Sequence, residues 1–101
     1  ASKAALTHFT ACAAMEAGPA NVRVNAIVPG QVLTAATEDW ATKAPETAAK
    51  TSQAIPMQRG GRPEELAEAI VFLLSDAASY ITGCDIRVDG GAVAAMRGAN
   101  F

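Results

Sequence analysis

The spacing of apolar residues predicts a helix at the beginning of the chain. Within residues 2–17, apolar positions recur at the period of a helix, and Ala, Lys and Leu are good helix formers. These positions are Ala5, Leu6, Phe9, Cys12 and Ala13. Alanine lies on nearly every side, which favours a helix buried on more than one face. Gly18 and Pro19 predict its end, because glycine is common just past a helix and proline cannot continue one.

Two other stretches alternate in the way that β-strands do. Residues 22–28 (VRVNAIV) place three valines and an alanine on one side, and Pro29 and Gly30 end the predicted strand. Residues 82–91 (TGCDIRVDGG) predict a turn, a strand and a second turn, with the two aliphatic residues of the strand facing inward. The chain therefore has two predicted strands, far apart in sequence.

A second apolar helix is predicted between the strands, in RGGRPEELAEAIVFLLSD. We expect a turn at residues 60–61, Pro63 at the first helical position, and Glu64 and Glu65 as charges that complement the helix dipole. Two adjacent carboxylates at a helix start are not interpreted as an acid/base pair. Five apolar residues are predicted to supply the core face: Leu66, Ile70, Phe72, Leu73 and Leu74.

The order of elements predicts the fold class. Residues 31–54 are rich in Ala and Thr, are interrupted by Pro45, and predict short mobile helices. The order is then helix, strand, helical segment, helix, strand, so about three helices accompany two parallel strands in an α/β layered sheet. Typical sheets have about five or six strands, so two strands beside an alanine-rich helix predict half of a domain.

Composition narrows the classes of function. The 101 residues carry a formal net charge of −2, with eight scattered Lys and Arg, which gives no reason to expect nucleic acid or an anionic membrane as partner. No apolar run approaches the roughly 20 residues of a membrane span, and no signal peptide is recognisable. Cys12 and Cys84 lack CxxC spacing and are interpreted as reduced core residues of a cytoplasmic protein, with a disulfide between them as the less favoured alternative.

The motifs together resemble the short-chain dehydrogenase/reductases, whose fold is a three-layer Rossmann-type sheet. ASKAAL resembles the end of the YxxxK active-site helix of that family, and NVRVNAIVPGQVLT resembles its sixth strand and the PG-x-[IV]-x-T loop. The stretch from GRPEEL to VDGG resembles its closing helix and seventh strand. The likeness runs nearly end to end. It implies that residues 1–101 are the C-terminal portion of one NAD(P)-binding domain, most like the 3-oxoacyl-acyl-carrier-protein reductase group.

The resemblance implies a catalytic and cofactor-binding role for Lys3. In the family this lysine binds the ribose hydroxyls of NAD or NADP and lowers the pKa of a tyrosine four residues earlier, which serves as general acid or base. That tyrosine would precede Ala1, and Tyr80 has no lysine at the matching spacing. The glycine-rich pyrophosphate turn, the NNAG stretch and the catalytic serine are also absent from the chain. The alternative for Lys3 is a solvated helix lysine.

The same likeness implies a cofactor contact in the loop after the first strand. It comprises Pro29, Gly30, Val32 and Thr34, with the Val32 backbone expected to meet the nicotinamide carboxamide and the Thr34 hydroxyl nearby. Open α/β sheets bind ligands at the carboxyl ends of their strands. The alternative is an ordinary strand-to-loop turn.

Four other residues are weighed and given mainly structural interpretations. Asn25 is interpreted as a structural hydrogen-bonding residue, and Asp89 as part of a turn important for structure and assembly. His8, the only histidine, is expected to be structural or to lie at a subunit contact, and no metal site is expected. Trp40 either lines a substrate pocket, since the family uses this region as a lid, or packs ordinarily.

Two functions follow from the sequence. The first is part of an NAD(P)-dependent oxidoreductase that transfers hydride between nicotinamide and a small carbonyl or alcohol substrate, in a dimer or tetramer. The second is a non-catalytic fragment or interaction module, because the chain lacks the dinucleotide motif and the catalytic Ser and Tyr. The chain by itself is predicted to be inactive. The substrate and the choice of NAD or NADP cannot be determined from these residues.

Overall fold

A computed structural model describes residues 2–98, and they form five α-helices and two strands. The helices are α1 (Ser2–Ala17), α2 (Ala35–Lys43), α3 (Pro45–Gln53), α4 (Pro63–Leu74) and α5 (Ala92–Gly98), and the strands are β1 (Ala26–Pro29) and β2 (Asp85–Val88). Short 3₁₀ turns occupy Gly18–Ala20 and Asp76–Ala78. The predicted α/β class with a small parallel sheet is confirmed, although the described residues hold five helices rather than about three.

Helix α1 has the predicted bounds, but the structure that ends it differs from the predicted one. Gly18 and Pro19 enter a 3₁₀ turn, and the left-handed conformation belongs to Asn21, whose φ is 60°. The Asn21 N–H donates to the Gly18 carbonyl at 2.8 Å. Asparagine tolerates this conformation better than most residues, because its short polar side chain bonds locally. The left-handed residue therefore comes three positions later than the glycine that predicted it.

Strand β1 is shorter than the predicted stretch 22–28. The Ala26 N–H donates to the Cys84 carbonyl at 2.9 Å, and the Gly30 N–H donates to the Val88 carbonyl at 3.0 Å. Before Ala26 the ladder is interrupted, because the Val24 N–H donates to the Thr82 hydroxyl at 3.0 Å instead of to a backbone carbonyl. In β2 the predicted alternation is present, since Ile86 and Val88 are half-buried while their neighbours are exposed.

Residues 31–54 form two helices that meet at Pro45. Helix α2 ends at Lys43, and Pro45 is the first residue of α3, where its missing N–H leaves no bond unmade. The turn predicted at residues 60–61 lies earlier, with Gln58 at a φ of 60°, and Gly61 instead pairs with Val32 in a parallel bridge. The last helix, α5, follows a turn where the sequence patterns predicted no further element.

The chain divides into two compact units. One contains the chain up to Val28 together with Glu68–Arg87, and the other contains Pro29–Ala67 together with the chain from Val88 onward. In the first unit four of the described side chains are buried, and only one of them is large: Thr10, Ala14, Leu73 and Ala78. In the second unit Ile55 is the buried hydrophobic residue among those described.

The predicted core face of α4 is mostly exposed. Of its apolar residues only Leu73 is buried, whereas Leu74 is 78% exposed and Ile70 and Phe72 are each more than 40% exposed. Phe9 on α1 is likewise 66% exposed, so the prediction that α1 is buried on more than one face is also wrong for this chain. No helix among residues 2–98 is long and apolar enough to cross a membrane.

Candidate functional site

The loop after β1 presents the backbone of Val32. The Gly61 N–H donates to the Gln31 carbonyl at 2.8 Å, and the Leu33 N–H donates to the Gly61 carbonyl at 2.7 Å. Because Gly61 bonds the residues on both sides of Val32, the N–H and C=O of Val32 point away from Gly61. The Thr37 hydroxyl donates to the Val32 carbonyl at 3.1 Å, and the Val32 N–H forms no hydrogen bond with any described residue.

Thr34 is the N-cap of α2. Its hydroxyl oxygen accepts from the Thr37 N–H at 3.3 Å, and the Thr34 N–H donates to the Thr37 hydroxyl at 2.6 Å, so the two threonines form a reciprocal capping box. A hydroxyl that accepts at a cap keeps its own proton for donation. Thr34 therefore has a structural role as the N-cap of α2, and its hydroxyl proton is still available for a second hydrogen bond.

Pro29 and Gly30 lie at the end of β1, where the backbone of Gly30 comes very close to Asp89. A Cβ on Gly30 would lie 2.7 Å from the Asp89 Cβ and 2.8 Å from its Cα, so no other residue type fits there without displacement. The Asp89 carboxylate accepts from the Gly91 N–H at 2.9 Å and the Val93 N–H at 3.2 Å, at the beginning of α5. The predicted place of Asp89 in a structural turn is confirmed by these bonds.

Gln31 holds an unusual polar atom next to this loop. Its Oε1 is buried and has no hydrogen-bond partner among the described residues. Buried polar atoms nearly always form hydrogen bonds. One without a partner either lowers the stability of the fold or accepts a hydrogen bond from a group that binds there. Sequence reasoning passed over this residue, and no pattern of the sequence distinguishes it from a solvated glutamine.

Lys3 belongs to the first unit, whereas the four loop residues belong to the second. It lies in the first turn of α1 and is exposed; that turn holds no acidic residue, and Lys3 forms no ion pair with a described residue. A cation in the first turn is opposed by the helix dipole. One turn further along the same face, the Thr7 hydroxyl donates to Asp85 Oδ2 at 2.6 Å and fixes α1 against β2. Tyr80, the only tyrosine of the chain, is fully exposed.

The charged cluster at the start of α4 was only partly anticipated. Glu65 was expected to be a helix-start charge, but its carboxylate also accepts a pair of hydrogen bonds from Arg59 at 2.7 and 2.9 Å and one from the Arg62 N–H at 2.8 Å. The Arg59 guanidinium, followed by the Arg62 N–H, lowers the pKa of Glu65 to about 2. The cluster fixes the loop before α4, and nothing in its geometry indicates acid/base chemistry.

Asn25 and the cysteines complete the placement of the weighed residues. The Asn25 amide donates to the Ile81 carbonyl at 3.0 Å and accepts from the Cys84 N–H at 3.1 Å, so its predicted structural role is confirmed. Cys12 and Cys84 are free thiols, but both are exposed and the predicted core position is wrong. Cys12 lies beside His8, with its Sγ 3.6 Å from Nε2.

The helices and the two-stranded parallel sheet define an α/β protein, and the comparisons identify its family. A family model described as enoyl-(acyl carrier protein) reductase matches residues 1–93. The 3-oxoacyl-acyl-carrier-protein reductase FabG of Thermotoga maritima is 47% identical over 93 residues, which cover 92% of this chain and 37% of that protein. The chain belongs to the short-chain dehydrogenase/reductase family, as its motifs predicted.

Other relatives and solved structures agree with this assignment. The 7alpha-hydroxysteroid dehydrogenase of Escherichia coli K12 is 42% identical over 92 residues, 91% of this chain and 35% of that one. The crystal structure of a hydroxysteroid dehydrogenase from Escherichia coli matches with a TM-score of 0.80 and 41% identity, over 89% of this chain and 37% of that chain. The chain therefore spans about a third of the length of the relatives it matches.

Proposed function

We propose that these 101 residues are the C-terminal part of an NAD(P)-dependent oxidoreductase that interconverts a carbonyl and an alcohol. The observation that carries the proposal is the backbone of Val32, which presents an unpaired N–H and a carbonyl on the side away from Gly61. A carboxamide has one acceptor and two donors, so the N–H and the C=O of a single residue can pair with it, the N–H donating and the C=O accepting. The nicotinamide carboxamide is the group that this pairing fits.

Each residue has a distinct task in this proposal. The Val32 backbone orients the nicotinamide ring, and the Thr34 hydroxyl, held at the N-cap of α2, donates its remaining proton to the cofactor. Pro29 and Gly30 give the loop its tight path past Asp89. Lys3 donates to the ribose hydroxyls and favours the phenolate of a tyrosine one helical turn earlier, which belongs to the complete enzyme. The bound cofactor supplies or accepts the hydride.

The partners and the location are proposed by analogy with the family. A complete enzyme of this kind would bind NAD or NADP and a small carbonyl or alcohol substrate and would assemble as a dimer or tetramer. Two free cysteines among the described residues support a reducing compartment, so we propose the cytoplasm. Trp40 is 36% exposed on α2, which leaves both the lid role and ordinary packing as expectations for it.

A chimera tests the catalytic proposal. Residues 1–93 would replace the matching region of the Thermotoga maritima reductase, and oxidation of NADH and NADPH with its own 3-oxoacyl substrate would be followed. Loss of a general acid's activation costs about 10²–10⁴-fold in rate, so Lys3→Met should lower kcat by at least about 100-fold. Lys50→Met, an exposed lysine of α3, is the matched control and should stay within about twofold.

Two outcomes would contradict the proposal. Full activity of the Lys3→Met chimera would remove Lys3 from the catalytic machinery. Turnover by the 101-residue chain alone would overturn its predicted inactivity, because it lacks the tyrosine and the pyrophosphate turn. The Val32 contact has its own variant, Val32→Pro, which deletes the N–H and should raise the KM for the cofactor.

A non-catalytic interaction module is the second candidate, favoured by the exposed apolar faces. In the first unit an open groove of about 610 Å³ follows residues 21–25 and is lined by Ile27, Ile70, Leu73 and Leu74. Large exposed apolar surfaces usually mark sites of association. On this hypothesis the isolated chain associates through these faces, and sedimentation of Leu74→Lys against the unchanged chain measures it. A strictly monomeric wild-type chain would contradict it.

A further inference from the structure

We propose that Thr37 is a positioning residue of the candidate cofactor loop, because its hydroxyl fixes the direction of the Val32 carbonyl. The inference rests on the proposed function, in which that carbonyl accepts from the nicotinamide carboxamide. The Thr37 hydroxyl donates to the Val32 carbonyl at 3.1 Å, across five positions of the chain. Thr37 lies in the first turn of α2 and is half-buried, so its side chain is held against the loop by the helix.

The hydrogen bonds of the Thr37 hydroxyl have a defined direction. Its oxygen accepts from the Thr34 N–H at 2.6 Å, so the single proton of the hydroxyl is left to donate. Two carbonyls share that proton, Val32 at 3.1 Å and Thr34 at 2.9 Å. The Thr34 carbonyl also accepts from the Glu38 N–H at 2.9 Å, whereas the Val32 carbonyl has no other donor among the described residues. Loss of the hydroxyl therefore leaves only the Val32 carbonyl without a donor.

The peptide unit that joins Val32 to Leu33 is held at both ends. Its N–H, which belongs to Leu33, donates to the Gly61 carbonyl at 2.7 Å, and its carbonyl accepts from Thr37. A carbonyl oxygen has two lone pairs, so Val32 can accept from the carboxamide and from Thr37 at the same time. A group that is already fixed in its binding direction loses little conformational freedom when a ligand binds. Thr37 therefore strengthens cofactor binding through Val32.

Two cofactors that differ in one group test this role in the chimera with the Thermotoga maritima reductase. The 3-acetylpyridine analogue of the nicotinamide cofactor carries a methyl group in place of the carboxamide NH₂, so it has no proton for the Val32 carbonyl to accept. Dissociation constants of both cofactors would be measured by isothermal titration calorimetry, without turnover. Thr37→Val removes the hydroxyl and should raise the dissociation constant of the natural cofactor about fivefold, but that of the analogue by less than about twofold.

Two further variants separate positioning from a loss of structure. Thr37→Ser keeps the hydroxyl and should bind the natural cofactor within about twofold of the wild type. Thr51→Val is the matched control, because it removes a helix hydroxyl that donates to a backbone carbonyl, that of Thr47 at 2.9 Å, on α3. It should leave both dissociation constants within about twofold of the wild type. Far-ultraviolet circular dichroism would verify that each variant keeps its helices.

The possible results distinguish this inference from the proposed function. If Thr37→Val weakened the binding of both cofactors equally, or of neither, Thr37 would be only a structural residue of the capping box and the inference would be wrong. If the wild-type chimera bound both cofactors equally well, the contact between Val32 and the carboxamide would fail as part of the proposed function. The role of Thr37 would then fail with it.

Discussion

Replacing Gly30 by alanine probes the tightest contact in the candidate cofactor loop. The added Cβ would lie 2.7 Å from the Asp89 Cβ and 2.8 Å from the Asp89 Cα. Carbon atoms in good contact are about 3.5–4.0 Å apart, so the overlap is roughly 0.7–1.3 Å. Asp89 has little freedom to move, because its carboxylate is bonded to the Gly91 and Val93 N–H groups and the preceding carbonyl of Val88 accepts from the Gly30 N–H.

The expected magnitude is the difference between two effects on the free energy of unfolding. Overpacking of this kind costs about 1–3 kcal/mol. Gly30 does not adopt a positive φ, so alanine fits its backbone and recovers about 0.4–1 kcal/mol by restricting the unfolded chain. A net loss of about 1–2 kcal/mol remains, which lowers the Tm of a domain of this size by roughly 4–16 °C.

Gly18 offers the matched control in the same chain. A Cβ on Gly18 would meet nothing within 4 Å, and its φ is not positive. Gly18→Ala should leave stability unchanged or raise it by up to about 1 kcal/mol. Urea unfolding of both variants, followed by far-ultraviolet circular dichroism, measures the contrast. If Gly30→Ala proved as stable as Gly18→Ala, the close approach of the loop to Asp89 would be refuted as the reason for glycine here.

Three further changes test neighbouring parts of the second unit. Thr34→Ala removes the cap of α2 and should lower the free energy of unfolding by about 1 kcal/mol, whereas Thr34→Ser should restore most of it; equal urea midpoints would contradict the capping role. Gln31→Met removes the unpartnered buried oxygen and should raise the free energy of unfolding by about 1 kcal/mol, and a loss of stability would show that Oε1 has a partner. The lowered pKa of Glu65 predicts a stabilising contribution that is full above pH 4.5 and is lost as the pH falls through about 2. The free energy of unfolding of Glu65→Gln should therefore depend less on pH than that of the wild type between pH 5 and 2. The control is Glu64→Gln, which should follow the wild type because the Glu64 carboxylate forms no ion pair with a described residue. Identical pH dependence of Glu65→Gln and the wild type would refute the stabilising role of Glu65.

The sequence predicted the elements whose signals are local. Helix α1 has a helical period over its whole length, and Pro63 fixes the first residue of α4, so both were placed correctly. Helix α5 was missed because its signal depends on the Asp89 carboxylate accepting from the N–H groups at its start, which becomes visible only once the turn is formed. The early end of the β1 ladder depends similarly on the Thr82 hydroxyl, 58 residues from its partner Val24.

Burial was the least predictable property, because it depends on what surrounds a helix and not on its own pattern. The apolar spacing of α4 is that of a core helix, yet only Leu73 is buried. Such a helix is expected where more of an α/β sheet is available to cover it, as in relatives about three times as long. Periodicity therefore predicted which face of α4 is apolar, and with two strands among the described residues most of that face is exposed.

The Thr34 position shows how a structural and a functional role can be separated at one residue. Aspartate is at least as good an N-cap as threonine, but its ionised carboxylate has no proton to donate. Thr34→Asp should therefore keep the free energy of unfolding of the chain within about 0.5 kcal/mol of the wild type. In the chimera with the Thermotoga maritima reductase, the same change should raise the KM for the nicotinamide cofactor, since the donor proposed for it is lost. If the KM stayed the same, Thr34 would be only the cap of α2, and the cofactor contact of this loop would rest on the Val32 backbone alone.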